Sequence, residues 1–191
     1  MEEKKIDRRS LKTQRAIREG LAELLADKEL RNITVQELAD RVDIHRVTFY
    51  KHFMDIYDVY EQMEKDILDS IANIAVEHGD KTKAEFYPFI IDYIESNPKV
   101  FRMIFSPHNT GVLKAKLTER IESLCRWFWL EDWEGDPADK QFNYAVHYHV
   151  QGALAVISKW VQQGFDVPKE EIIDALIDLD EMVRDSVIPL K

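Results

Sequence analysis

An all-α fold is what this sequence predicts, and two observations predict it. Apolar residues recur at spacings of three and four along nearly the whole chain, the period of a helix with one buried side, and no stretch alternates apolar and polar residues long enough to make a strand. The interruptions are short clusters of turn formers at 27–32, 43–44, 78–80, 96–98, 106–111, 134–137 and 164–168, which divide 191 residues into about nine helices.

Taken in order, the first helix carries Ile17, Leu21, Leu24 and Leu25 on one side and needs a partner to bury them. The second begins at Thr34, an N-cap residue with Glu37 three positions on to complete a capping box, and turns Val35, Leu38, Ala39 and Val42 to one face. A tight break at Asp43 leads to a short third helix from His45 to His52, in which Phe49 and Phe53 share a face. A long helix follows from near Asp55 to about His78, its apolar side formed by Tyr57, Tyr60, Met63, Ile67, Leu68 and Ile71. The Asn97-Pro98 and Ser106-Pro107 pairs bracket one short helix, because a proline ring crowds the preceding residue out of the α region. The segment from Phe142 to Gly164 holds Gly152-Ala153-Leu154-Ala155, small residues that let another helix approach. Pro168 then opens a last helix with a wide apolar face of Ile172, Ile173, Leu176, Ile177, Leu179 and Val183. The expected organisation is a three-helix N-terminal domain over 1–53 and a larger helical domain over 54–191.

Composition bounds the function. A charged fraction of 32% and a hydrophobic fraction of 45% are those of a foldable globular chain. No apolar run approaches the roughly 18 residues of a membrane helix, the N-terminus is charged where a signal peptide is apolar, and Cys125 stands alone, so a cytoplasmic location is expected. The net charge of −10 hides an asymmetry, since residues 1–52 hold 12 Lys or Arg against 10 Asp or Glu. Lys4, Lys5, Arg8, Arg9, Lys12, Arg15 and Arg18 make a basic leading segment.

Residues 33–53 spell a capped helix, a short turn and a second short helix, which is helix-turn-helix anatomy. If Phe49 and Phe53 point inward, Arg46, Val47, Tyr50 and Lys51 point outward. A groove-reading helix needs a donor for base edges, small or apolar residues for close approach, and flanking donors for phosphates. Arg46, then Val47 with Thr48, then Tyr50, Lys51 and His52 supply these in turn.

Ala39 and the run Thr48-Phe49-Tyr50-Lys51-His52-Phe53 resemble the signature of the TetR family of bacterial regulators. The resemblance implies that Arg46, Val47, Thr48 and Lys51 face bases while Thr34, Tyr50 and His52 hold phosphates of double-stranded operator DNA, with Tyr57 also at the interface. Two positions depart from the pattern. Asp43 stands where the family usually has a turn glycine, and asparagine or aspartate adopts the left-handed conformation at some cost. Ile56 replaces a usual phosphate-binding lysine, with the start of the long helix, capped by Asp55, left to serve the phosphate instead.

Beyond Phe53 the chain is acidic and aromatic. Such aromatics are first of all core. The family resemblance also implies a small-molecule effector site here, for which Arg102, Trp127, Tyr144, His147 and Tyr148 are the candidates. The two final helices, within 142–188, are expected to form a homodimer interface about a two-fold axis. Catalysis is not expected: His147 and His149 lie on different helix faces, His45, His52, His78 and His108 are dispersed, and no nucleophile elbow, P-loop or dinucleotide fingerprint occurs. Neither cofactor nor metal is expected. The sequence therefore reads as a regulator, a repressor released from its operator by an effector, with a helical protein-interaction module that does not bind DNA as the alternative.

Overall fold

The computed structural model describes residues 8–78, 83–106, 111–133 and 135–185. Lys4, Lys5, Pro107, His108, Glu134 and the end of the expected dimer segment, 186–188, lie outside the described residues. The described residues form nine α-helices and no strand: α1 (Arg8–Leu25), α2 (Val35–Arg41), α3 (Arg46–Phe49), α4 (Ile56–His78), α5 (Lys83–Ser96), α6 (Pro98–Ile104), α7 (Val112–Asp132), α8 (Lys140–Gln162) and α9 (Lys169–Asp185), with a 3₁₀ turn at Leu30–Asn32. The all-α expectation holds. Two compact units divide the chain, one of 1–67 with 99–110 and the other of 68–98 with 111–191.

In the first unit α1 buries Ile17, Leu21, Leu24 and Leu25, and α2 meets them with Leu38 and Ala39. The two helices approach closely at Gly20, where an added Cβ would lie 2.4 Å from Val42 Cγ1. Phe49 and Phe53 are buried 5.9 Å apart. Along α4, whose residues up to Ile67 belong to this unit and those from Leu68 to the second, the buried side is Ile56, Val59, Met63, Ile67, Ile71 and Ala75. Tyr57 is not on that side, contrary to the sequence expectation, and is exposed. Periodicity placed the face correctly from Met63 onward, but the buried register enters one residue earlier, at Ile56.

Salt links also tie the first unit together. Lys99 Nζ reaches Glu19 Oε2 at 3.1 Å and Glu23 Oε1 at 2.8 Å, and Glu23 in turn meets Arg41 Nη2 at 2.7 Å. The Ser106 hydroxyl donates to the Ala26 carbonyl at 2.8 Å, closing the end of α1.

In the second unit Trp129, Phe142 and Val146 form a core cluster, with Trp133 stacked on Phe142 at 5.1 Å. His149 Nδ1 lies 3.0 Å from the buried carboxylate of Asp180, joining α8 to α9. Tyr87 is buried nearby, and burial first, then the negative charge of Asp180, pushes its phenol well above the usual range. The end of α8 is a Schellman turn: Gly164 takes φ 78°, the Phe165 amide donates to the Trp160 carbonyl at 3.0 Å, and the Phe165 ring packs edge-on against Trp160 at 4.8 Å.

Candidate functional site

The helix pair α2–α3 begins with its cap. The Glu37 amide donates to Thr34 Oγ1 at 3.1 Å, as the capping pattern requires. The reciprocal half of the box is absent, because the Glu37 carboxylate turns instead to Lys28 Nζ. Thr34 is exposed and, having only accepted a hydrogen bond there, still holds a hydroxyl proton to donate.

The turn between the helices is a second Schellman motif, built without glycine. Asp43 takes φ 53°, its amide donates to the Asp40 carbonyl at 3.3 Å, and the Ile44 amide donates to the Ala39 carbonyl at 3.0 Å. The left-handed conformation expected of Asp43 is present, so the departure from the family's glycine leaves the turn intact.

The regular part of α3 is shorter than the expected span from His45 to His52. It covers Arg46–Phe49 and continues as a tight turn in which the His52 amide donates to the Phe49 carbonyl at 2.9 Å. Burial of Phe49 at 0% and Phe53 at 2% fixes the rotation of this segment and turns Arg46, Val47, Tyr50 and Lys51 outward. Thr48 and His52 are half-buried. Val47 is 71% exposed, and Met54, which sequence periodicity did not single out, is 78% exposed. Val47 on α3 and Met54 just before α4 thus present exposed apolar surface among the described residues.

Arg46 is held over Tyr50. Its Nη2 donates to Tyr50 Oη at 3.3 Å, and its guanidinium carbon stands 5.9 Å from the ring centroid. The Tyr50 oxygen accepts in that contact and keeps its own proton to donate. Gln36, Asp40, Ile44, His45, Arg46, Val47 and Thr48 line an open groove of about 600 Å³. Gln36, Asp40 and His45 were not among the sequence candidates; the signal that could have found them is that a helix start and the turn before the next helix share one surface.

Tyr57 is 53% exposed on the first turn of α4. That helix start is tightly capped: the Asp58 amide donates to Asp55 Oδ1 at 2.9 Å, and the Met54 amide donates to Asp58 Oδ2 at 2.7 Å. Two amides there are thus already taken by carboxylates. Asp58 also accepts from Gln62 Nε2 at 2.8 Å, Gln62 Oε1 accepts from Arg18 Nη2 at 3.4 Å, and Arg18 Nη1 meets Asp66 at 3.0 Å, a polar chain binding α1 to α4. At the other end of α1, Arg8, Arg9 and Lys12 are exposed and the first turn has no acidic residue. Cations at the positive end of a helix cost a few tenths of a kcal/mol each, roughly 0.3–1, so this end favours an anion.

The candidate effector residues are divided between the two units. Arg102 lies on α6 in the first unit and is exposed; Trp127, Tyr144, His147 and Tyr148 belong to the second. Tyr144 is 73% and Tyr148 69% exposed, one turn apart on α8, and His147 Nδ1 meets Glu122 at 2.7 Å on the surface. Tyr144 and Tyr148 continue into Gly152, which has open space around it, and Ala155; on the adjoining α9, Leu179 and Met182 are exposed. No group of three or more metal-ligating side chains occurs among the described residues, and no helix among them is long and apolar enough to cross a membrane.

No curated protein sequence matches the chain significantly. Ten chains of solved structures match its fold. One is the dihydroxyacetone kinase operon activator DhaS, 14% identical, matched over 90% of this chain and 96% of that one with a TM-score of 0.59. That likeness shows the fold. Residues 81–180, more than half of the chain, match the TetR-type family model described as transcriptional regulator C-terminal region. With a helix-turn-helix spelled by residues 33–53 and this match over more than half of its length, the chain belongs to the TetR family of transcriptional regulators.

Proposed function

We propose that this regulator binds double-stranded operator DNA as a homodimer and acts in the cytoplasm as a repressor released by a small-molecule effector, without enzymatic activity of its own. The observation that carries the reading is the outward set of α3. Arg46, Val47, Tyr50 and Lys51 stand exposed over buried Phe49 and Phe53, a donor and an apolar contact for base edges flanked by donors for phosphates. Thr34 and Tyr50 each retain a proton to donate, and the basic start of α1 adds positive charge for a polyanion. His52 and Tyr57 flank the same segment as further phosphate donors.

The dimer reading rests on Tyr144, Tyr148, Gly152 and Ala155 of α8 with Leu179 and Met182 of α9, an exposed apolar and small-residue surface of the sort a self-complementary interface buries. An effector that releases DNA must bind two states with different affinity, so operator and effector weaken each other by the same factor, typically ~1–3 kcal/mol of coupling.

Gel-shift titration on the DNA upstream of the gene tests the reading. Arg46→Ala is expected to lose preference for the specific duplex over a scrambled one, whereas Tyr50→Phe weakens both about alike. Binding of neither duplex by the wild type would favour the protein-interaction alternative.

A further inference from the structure

We infer that Gln36 reads an adenine in the operator half-site and that Asp40 is the positioning residue that fixes its reading edge. The inference rests on the operator-binding reading above.

Gln36 and Asp40 stand one turn apart on α2, both exposed, on the wall of the groove that Ile44, His45, Arg46, Val47 and Thr48 complete. Gln36 Nε2 donates to Asp40 Oδ1 at 2.6 Å. A carboxylate can only accept, so it holds the nitrogen end of the amide and rejects the flipped orientation. One Nε2 proton is used in this way. What remains is an acceptor, Oε1, and a second Nε2–H donor in the plane of the amide.

That remainder complements one base. Adenine presents N6–H₂ as donor and N7 as acceptor on its major-groove edge. Guanine presents two acceptors, leaving Oε1 without a donor; cytosine offers only a donor, and thymine only an acceptor beside its methyl. The charge on Asp40 repels phosphates, which suits this wall to a base edge and not to the DNA backbone. Exposed Val47, on the same groove, offers the apolar contact that a thymine methyl takes.

Selection from a library of randomised duplexes, run with purified full-length protein, tests the assignment position by position. The wild type is expected to select adenine at one position of each half-site by about 5- to 150-fold. Gln36→Ala should erase that preference alone. Gln36→Lys should move it towards guanine, since lysine donates to O6 and N7. Asp40→Ala, which frees the amide to flip, should lower the adenine preference several-fold while every other position keeps its profile. A Gln36→Ala profile that superimposes on the wild type, or one degraded at every position, overturns the inference and leaves operator binding standing. A folded wild type that selects no sequence overturns both.

Discussion

The Ile44 amide donates to the Ala39 carbonyl at 3.0 Å, and that single bond spans a left-handed Asp43 at φ 53°. The angle at which α3 leaves α2, and with it the direction in which Arg46 and Val47 project, depends on this turn. A non-glycine residue in the left-handed region costs roughly 1–2 kcal/mol, less for aspartate than for most. Asp43→Gly should therefore stabilise the folded protein by up to about 1 kcal/mol, after the greater freedom of glycine in the unfolded chain is offset. Asp43→Val should destabilise it by more than about 1 kcal/mol. Thermal denaturation of the three proteins checks the order.

Gly20 sits inside α1, where alanine would ordinarily improve the helix by about 1 kcal/mol. Here the added Cβ would meet Val42 Cγ1 at 2.4 Å and Leu38 Cδ1 at 3.2 Å. Gly20→Ala is expected to lower the melting temperature, and Gly20→Ala with Val42→Ala to recover part of the loss. Additive losses in the double variant would show that the helix contact is not the cause.

Lys99 supplies a pH-dependent link. Hydrogen bonds from Lys99 and then Arg41 hold the Glu23 carboxyl below its ordinary range. Burial alone would raise Glu19, but Arg15 and Lys99 outweigh it and lower it too. Lys99 is raised by Glu23 and then Glu19. Carboxylates with lowered folded values add stability above their unfolded value near 4.5, and lose it as pH falls through the folded value. The raised amine adds stability below its unfolded value near 10.5, and loses it as pH rises through the folded one. Lys99→Met should thus cost most stability between those limits and progressively less as pH drops from about 5 towards 3. The groups are partly exposed, so the neutral-pH effect should not exceed about 1 kcal/mol. Urea denaturation at pH 7 and pH 3.5 measures it; an equal cost at both would assign the loss to packing.

Met182 and Tyr148 give a test of assembly. A two-fold interface presents the same patch twice, so one substitution counts twice. Met182→Glu and Tyr148→Glu should each shift sedimentation at micromolar concentration from dimer towards monomer with the helical circular dichroism unchanged. A monomeric wild type would contradict the homodimer.

Much of this was legible in the sequence. The turn clusters marked the helix ends because proline, glycine and aspartate act locally, and Thr34 capped α2 for the same reason. Phe49 and Phe53 showed which side of α3 is buried, since one spacing fixes one rotation. Contacts between distant residues were not legible. Gly20 acquires meaning only when α2 lies on it, and Lys99 finds Glu19 across 80 positions. Composition could not tell inward from outward aromatics either: Trp129 is core while Trp127, two residues earlier on the same helix, is 54% exposed.

The most direct measurement of the central claim is genome-wide capture of the DNA bound to this protein in cells, beside the Arg46→Ala variant. The account predicts a small number of enriched sites that share an inverted repeat, one half-site for each α3 of a dimer, with that enrichment lost in the variant. Bound DNA without a shared sequence, or the same profile for both proteins, would contradict it.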